Sequence, residues 1–118
     1  MFCSDEWNAV QPGSMLHVEF TCDDSAAITG TYRVQSDHAA DETEIDGASF
    51  PLRRRVSHGE RHEVTFRAMF TGSRSDVSLV ATVVRPDQSL HGQPYQCSGT
   101  LDDQDPLCTV ELFANGAV

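Results

Sequence analysis

The sequence predicts one all-β domain over residues 1–118, folded as a sandwich or barrel of seven to nine short strands. Three observations carry that expectation. Apolar and polar residues alternate with period two along much of the chain. Helical periodicity is almost absent. Gly, Pro, Asn and Asp interrupt the alternating runs at short intervals, as turns between strands require. A chain of 118 residues has the size of one domain and buries roughly two-thirds of its unfolded surface.

The elements follow in order. Cys3 belongs to a first strand. Leu16-His17-Val18-Glu19-Phe20-Thr21-Cys22 places every even residue on an apolar face, which describes a half-buried strand. Ile28 to Val34 offers Ile28, Tyr32 and Val34 on one side, and Gly30 marks a bulge or a close backbone approach. Ser36 to Gly47 has no apolar pattern and reads as a solvated loop. Phe50 to Val56 is a short strand whose Arg53-Arg54-Arg55 run suits an exposed edge. His62 to Phe70 sets Val64, Phe66, Ala68 and Phe70 against Thr65, Arg67 and Met69, and Thr71-Gly72-Ser73 closes it with a turn. Val77 to Val84 is apolar on both sides, as in a strand covered on both faces. Pro94 to Leu101 and Cys108 to Ala114 are the last two strands, joined by an acidic loop.

Charge narrows the function classes. The chain carries 18 acidic residues and 8 basic ones, all of them arginine, for a formal charge of −10. A nucleic-acid binder needs a basic face, so that class is disfavoured. The distribution is uneven. Residues 1–50 hold ten acids and only Arg33, residues 51–85 hold seven arginines and three acids, and residues 86–118 hold five acids and no arginine. Both signs on one molecule permit self-complementary docking. No apolar run approaches the roughly 20 residues of a membrane span, so direct membrane insertion by this segment is not expected. No leader is visible before Phe2, which fits either a cytosolic protein or a mature segment.

Four cysteines stand at positions 3, 22, 97 and 108 without CxxC or zinc-ligand spacing. An even count on a small chain points to an oxidising compartment and two bridges, with three connectivities open.

Two local patterns resemble an immunoglobulin variable-type domain. Val10-Gln11-Pro12-Gly13 followed by Leu16-x-Val18-x-Phe20-x-Cys22 is similar to the turn and strand B that end on the first core cysteine. Tyr95-Gln96-Cys97, 75 residues after Cys22, is similar to the Tyr-x-Cys of strand F. Leu79-x-Ala81-x-x-Val84-x-Pro86-Asp87 resembles strand E and the corner after it. The resemblance implies an immunoglobulin-like, V-type sandwich of roughly eight to nine strands. It also implies a Cys22–Cys97 bridge through the core, with Tyr95 tying down the corner before it. A Cys3–Cys108 bridge would then join the first strand to the last. The alternative pairs Cys97 with Cys108 and Cys3 with Cys22. The usual strand C tryptophan is missing. Trp7 is the sole tryptophan, and Tyr32 is the ring expected to take its place. His91 occupies the position six before Cys97 where an aspartate is usual, and Asp87 stands ten before it.

Little points to catalysis. His58-Gly59-Glu60-Arg61-His62 has a zinc-like spacing, but it sits at a turn entering a strand, where the two rings lose a shared face. Asp102-Asp103-Gln104-Asp105, with Glu111, offers hard oxygen ligands but lacks the glycine and ligand series of a calcium loop. No nucleophile elbow or phosphate loop is present. No enzyme activity, cofactor, metal or small-molecule substrate is expected.

By resemblance, then, the chain is expected to be an extracellular module of a cell-surface receptor that binds a protein partner. The partner could be a second copy of the chain, in adhesion or in self/non-self recognition such as invertebrate allorecognition. The recognition loops carried over by position are Asp23 to Thr29, part of Ser36 to Gly47, and Ser98 to Pro106. The candidate contact residues are Asp41, Glu42, Glu44, Asp46, Arg53, Arg54, Arg55, Asp102, Asp103 and Asp105, with acidic loops of one copy meeting arginines of another. No glycosylation sequon follows Asn8 or Asn115. Two rivals stand beside this reading: a secreted acidic inhibitor that covers a basic active site, and an acidic mimic of nucleic acid.

Overall fold

The computed structural model describes residues 1–23, 28–36, 40–45 and 51–118. Among the described residues nine strands follow one another: β1 (Phe2–Val10), β2 (Met15–Cys22), β3 (Ile28–Gln35), β4 (Ala40–Ile45), β5 (Leu52–Arg55), β6 (Arg61–Phe70), β7 (Arg74–Val84), β8 (Tyr95–Asp102) and β9 (Leu107–Gly116). They form a five-stranded sheet in the order β1-β9-β6-β3-β4 and a four-stranded sheet in the order β5-β2-β7-β8. All pairings are antiparallel except β1 with β9. The predicted all-β sandwich is therefore what the chain forms.

Period-two alternation decides what is buried. On β6, His62, Val64, Phe66, Ala68 and Phe70 point inward. Leu16 and Val18 on β2, Val77, Leu79, Ala81 and Val83 on β7, and Cys108, Val110, Leu112 and Ala114 on β9 complete the core. The aromatic rings of Phe20 and Phe66 meet edge to face at 5.6 Å between centroids, which sets β2 across from β6. Trp7 is also buried, so the only indole enters the core from β1 rather than from the third strand. The Tyr32 side chain lies outside what the structure describes.

Two glycines have backbone reasons. Pro12-Gly13 turns the chain into β2, with Gly13 at φ +87° and Ser14 N–H donating to the Gln11 carbonyl at 3.1 Å. At Gly30, a Cβ would overlap the Arg67 carbonyl of the adjacent strand. That is the close approach the sequence predicts.

Two sequence expectations are corrected here. The segment Ser36 to Gly47 is not wholly loop, because residues 40–45 form the edge strand β4 against β3. Its polar sequence hid it, since an edge strand paired on one side needs no apolar face. Residues 37–39 and 46–50 are outside the described residues. Strand β7 is not covered on both faces. Ser78, Val80, Thr82 and Val84 on its outer side are only half-buried.

The strand order bears on the resemblance. A two-sheet sandwich with a buried bridge is compatible with an immunoglobulin-like architecture. In variable domains the second core cysteine sits in the sheet opposite strand B, on the strand between C and G. Here β6 fills that place between β3 and β9. Strand β8, with Tyr95 and Cys97, instead closes the edge of the sheet that contains β2.

Candidate recognition face

The cysteines show what that order does. Cys3 is bonded to Cys97, with 6.0 Å between their Cα atoms, so neither implied connectivity forms. Cys22 and Cys97 lie on β2 and β8 of the same sheet with β7 between them, Cys22 facing Val77 and Cys97 facing Leu79. Two strand spacings are about 9.6 Å, beyond the reach of a disulfide. Cys3 and Cys108 sit on adjacent β1 and β9, but Cys108 is two residues out of register, since Cys3 pairs with Val110. The observed bridge ties the edge strand β1 of one sheet to the edge strand β8 of the other. The Tyr95 hydroxyl reinforces it by accepting the Ser4 N–H at 3.2 Å, in place of the corner contact the resemblance implies.

Cys22 and Cys108 keep their thiols. Burial pushes the Cys108 pKa up to about 11, the nearby Cys22 thiol adds to that, and the chain's amino terminus opposes it. Cys22 is half-buried, contacts Ser75 Oγ at 3.0 Å and lines an open groove of about 500 Å³.

The predicted contact residues do not converge. Arg53, Arg54 and Arg55 lie on β5, the edge beside β2. Arg53 and Arg55 are exposed, while Arg54 is half-buried on the side of Leu52, so the run is not one patch. Arg53 Nε donates to His17 Nδ1 at 3.3 Å, and His17 Nε2 lies 3.2 Å from Glu19. Asp102, Asp103 and Asp105 occupy the β8–β9 turn, at the opposite edge and opposite end of the same sheet. Asp102 Oδ1 is committed to that turn, accepting the N–H groups of Gln104 at 2.9 Å and Asp105 at 2.7 Å. Register places Asp41, Glu42 and Glu44 on β4, opposite Val34, Arg33 and Thr31. Asp46 is outside the described residues. His58 is exposed and His62 is buried, so they share no face. Among the described residues no group of three His, Cys, Asp or Glu side chains is placed to hold a metal ion.

What the structure does assemble is the outer face of the five-stranded sheet. Thr65 on β6 lies at its centre, opposite Arg33 on β3 and Glu111 on β9. Glu63 and Arg67 stand on the same face of β6, one alternate position to either side. Neighbouring strands are about 4.8 Å apart and alternate residues about 6.8 Å apart, so four charges surround Thr65, with Arg33 and Arg67 on adjacent sides and Glu63 and Glu111 on the other two. None of the four is in an ion pair with another described residue. At one end of this face Met69 opposes Leu107, and Phe2 opposes Thr109. Phe2, Met69 and Leu107 are 63%, 48% and 54% exposed, a cluster of large apolar side chains in open solvent. At the other end Arg61 stacks 4.7 Å over the Phe113 ring, and Asn115 Nδ2 donates to Glu6 and Asn8, both at 2.8 Å.

Sequence reasoning missed this face. Thr65, Arg67 and Met69 were legible as the polar side of a strand, but only the registers of β3, β6 and β9 bring Arg33 and Glu111 beside them.

The architecture thus defines a class: a two-sheet β-sandwich, braced at its edges by one disulfide, with two arginines and two glutamates set about Thr65 on the outer face of the five-stranded sheet. Comparison with protein-family profiles, characterised proteins and solved structures finds no match to this chain.

Proposed function

We propose that this domain is a recognition module that binds a protein partner through the outer face of its five-stranded sheet, and that it works outside the cytosol as part of a cell-surface receptor. The observation that carries the reading is the open face around Thr65. Arg33, Glu63, Arg67 and Glu111 project from it without ion-pair partners among the described residues, and an exposed apolar cluster flanks them. Unpaired charges in a fixed pattern give specificity and orient an approaching partner, while apolar residues supply affinity. The Cys3–Cys97 bridge supports an oxidising compartment, where such bonds persist. The variable-type resemblance supports the receptor assignment, with adhesion or allorecognition as its finer form.

Beads coated with the chain provide the test, scored for binding to cells and to one another. The double variant Arg33→Glu/Arg67→Glu should abolish binding, and the triple variant Arg53→Glu/Arg54→Glu/Arg55→Glu should not. Undiminished binding by a folded Arg33→Glu/Arg67→Glu variant would overturn the reading. The exposed Asp103 and Asp105 favour one second reading, an acidic inhibitor. In that case Asp103→Arg/Asp105→Arg, rather than the sheet-face variant, loses the partner.

A further inference from the structure

We propose that the partner of this face is a second copy of the chain, docked across a two-fold axis that runs diagonally over Gln35, Thr65 and Thr109. The inference rests on the recognition reading above and names its partner and register.

A closed homodimer made face to face has its two-fold axis in the plane of the interface, so each side chain meets the mirror position of the flattened pattern. On the five-stranded sheet the positions form a grid, with strand order across and alternate residues along. Only one diagonal through Thr65 pairs opposite charges. It runs between Arg33 and Glu63 on one side and between Arg67 and Glu111 on the other. Across that line Arg33 of one copy meets Glu63 of the other, and Arg67 meets Glu111. Symmetry makes each contact twice.

The same operation orders the surroundings. Glu42, two strands from Thr65 in the Arg33 row, falls opposite Arg61, two alternate positions along β6. Phe2, beside Thr109, falls opposite Leu107, so the two apolar residues at the open end cover each other. The axis itself passes over Gln35, Thr65 and Thr109, uncharged side chains that meet their own copies without repulsion. No like charges are brought together within this grid. The other diagonal sets Arg33 on Arg67 and Glu63 on Glu111, and an axis along or across the strands sets at least one charge against its own copy. On these spacings the favoured docking crosses the strands of the two copies at roughly 70°, nearer the orthogonal than the aligned way in which sheets pack.

Sedimentation of the full chain tests this with two single charge reversals. Arg33→Glu places glutamate against Glu63 of the other copy, and Glu63→Arg places arginine against Arg33. Each variant alone should self-associate roughly tenfold or more weakly than wild type. Mixed in equal amounts they should form a heterodimer, because both symmetry-related contacts then join opposite charges. Recovery in the mixture also shows that each variant is folded. Wild-type association should weaken from low to physiological salt. Failure of the mixture to associate would overturn this register, as would dimerisation of Arg33→Glu with wild-type strength. A wild-type chain that stays monomeric at concentrations on the order of a millimolar would overturn self-docking altogether. If that monomer still binds cells, and Arg33→Glu/Arg67→Glu still abolishes the binding, the recognition reading stands and the partner is a different protein.

Discussion

Cys3 and Cys97 join the outermost strand of one sheet to the outermost strand of the other, 94 residues apart in sequence. The bond closes the open side of the sandwich, where β1 has a strand ladder to β9 only. On the chain-entropy account a loop of this length contributes about 4–5 kcal/mol, comparable to the whole stability of a small domain. Cys97→Ser is expected to lower the unfolding free energy by that amount, whereas Cys22→Ser should have a much smaller effect. A non-reduced peptide map should show the Cys3 and Cys97 peptides linked. Equal losses from the two variants would contradict this arrangement.

The two thiols should differ sharply in reactivity. Cys22 borders an open groove and Cys108 is fully buried, with its pKa at about 11. Alkylation of the native chain is expected at Cys22 first. Labelling of Cys108 should rise about tenfold per pH unit between pH 8 and 10, since only the thiolate reacts. Site-resolved mass spectrometry over that range checks both, and equal labelling at pH 8 would count against the buried position of Cys108.

Stability should follow the same group at alkaline pH. Below pH 9 the Cys108 thiol is neutral in both folded and unfolded chains. Between pH 9.0 and about 11 the unfolded chain releases a proton that the native state retains. Stability therefore falls with rising pH in that window, by up to about 1.4 kcal/mol per pH unit. Urea titrations of wild type and Cys108→Ala should diverge in slope there and run parallel below it.

Gly30 has no room for a side chain. A methyl group there would collide with the Arg67 carbonyl, which has β-ladder neighbours on both sides and no freedom to yield. Gly30→Ala is expected to cost about 2 kcal/mol or more and to loosen β3 from β6. Hydrogen exchange would show it as lost protection along Ile28–Gln35. Unchanged exchange would mean that β3 can shift without penalty.

Phe66 is the largest fully buried side chain among the described residues, and it packs across the two sheets against Phe20. Phe66→Ala should destabilise the domain by about 3–5 kcal/mol. The conservative Phe66→Leu should recover most of that, and calorimetry of the pair distinguishes packing loss from a local effect.

Much of the fold was legible because burial on one face writes itself into sequence with period two. Val64, Phe66, Ala68 and Phe70 announced both a strand and its inner side, and Leu16, Val18 and Phe20 did the same. Strand β4 left no such mark. Residues 41–44 are all polar, and the strand's place comes from hydrogen bonds to β3 that any side chain permits. The candidate site was legible only as scattered charges. Arg33 looked like a lone base in an acidic half, and Glu111 like a neighbour of the acidic turn.

By itself, then, the amino-acid order determined which residues face inward, because alternation and solvent exclusion act locally along each strand. It could not decide which sheet a strand joins. Cys97 points to the core wherever β8 lies, and only the placement of β8 beside β7 and across from β1 chose Cys3 as its mate. The same choice, through β6 between β3 and β9, brought Arg33, Glu63, Arg67 and Glu111 around Thr65. Strand partnership is a long-range competition among backbones with the same hydrogen-bonding groups. It is settled by how the whole set of inward side chains packs, and tertiary structure alone records the outcome.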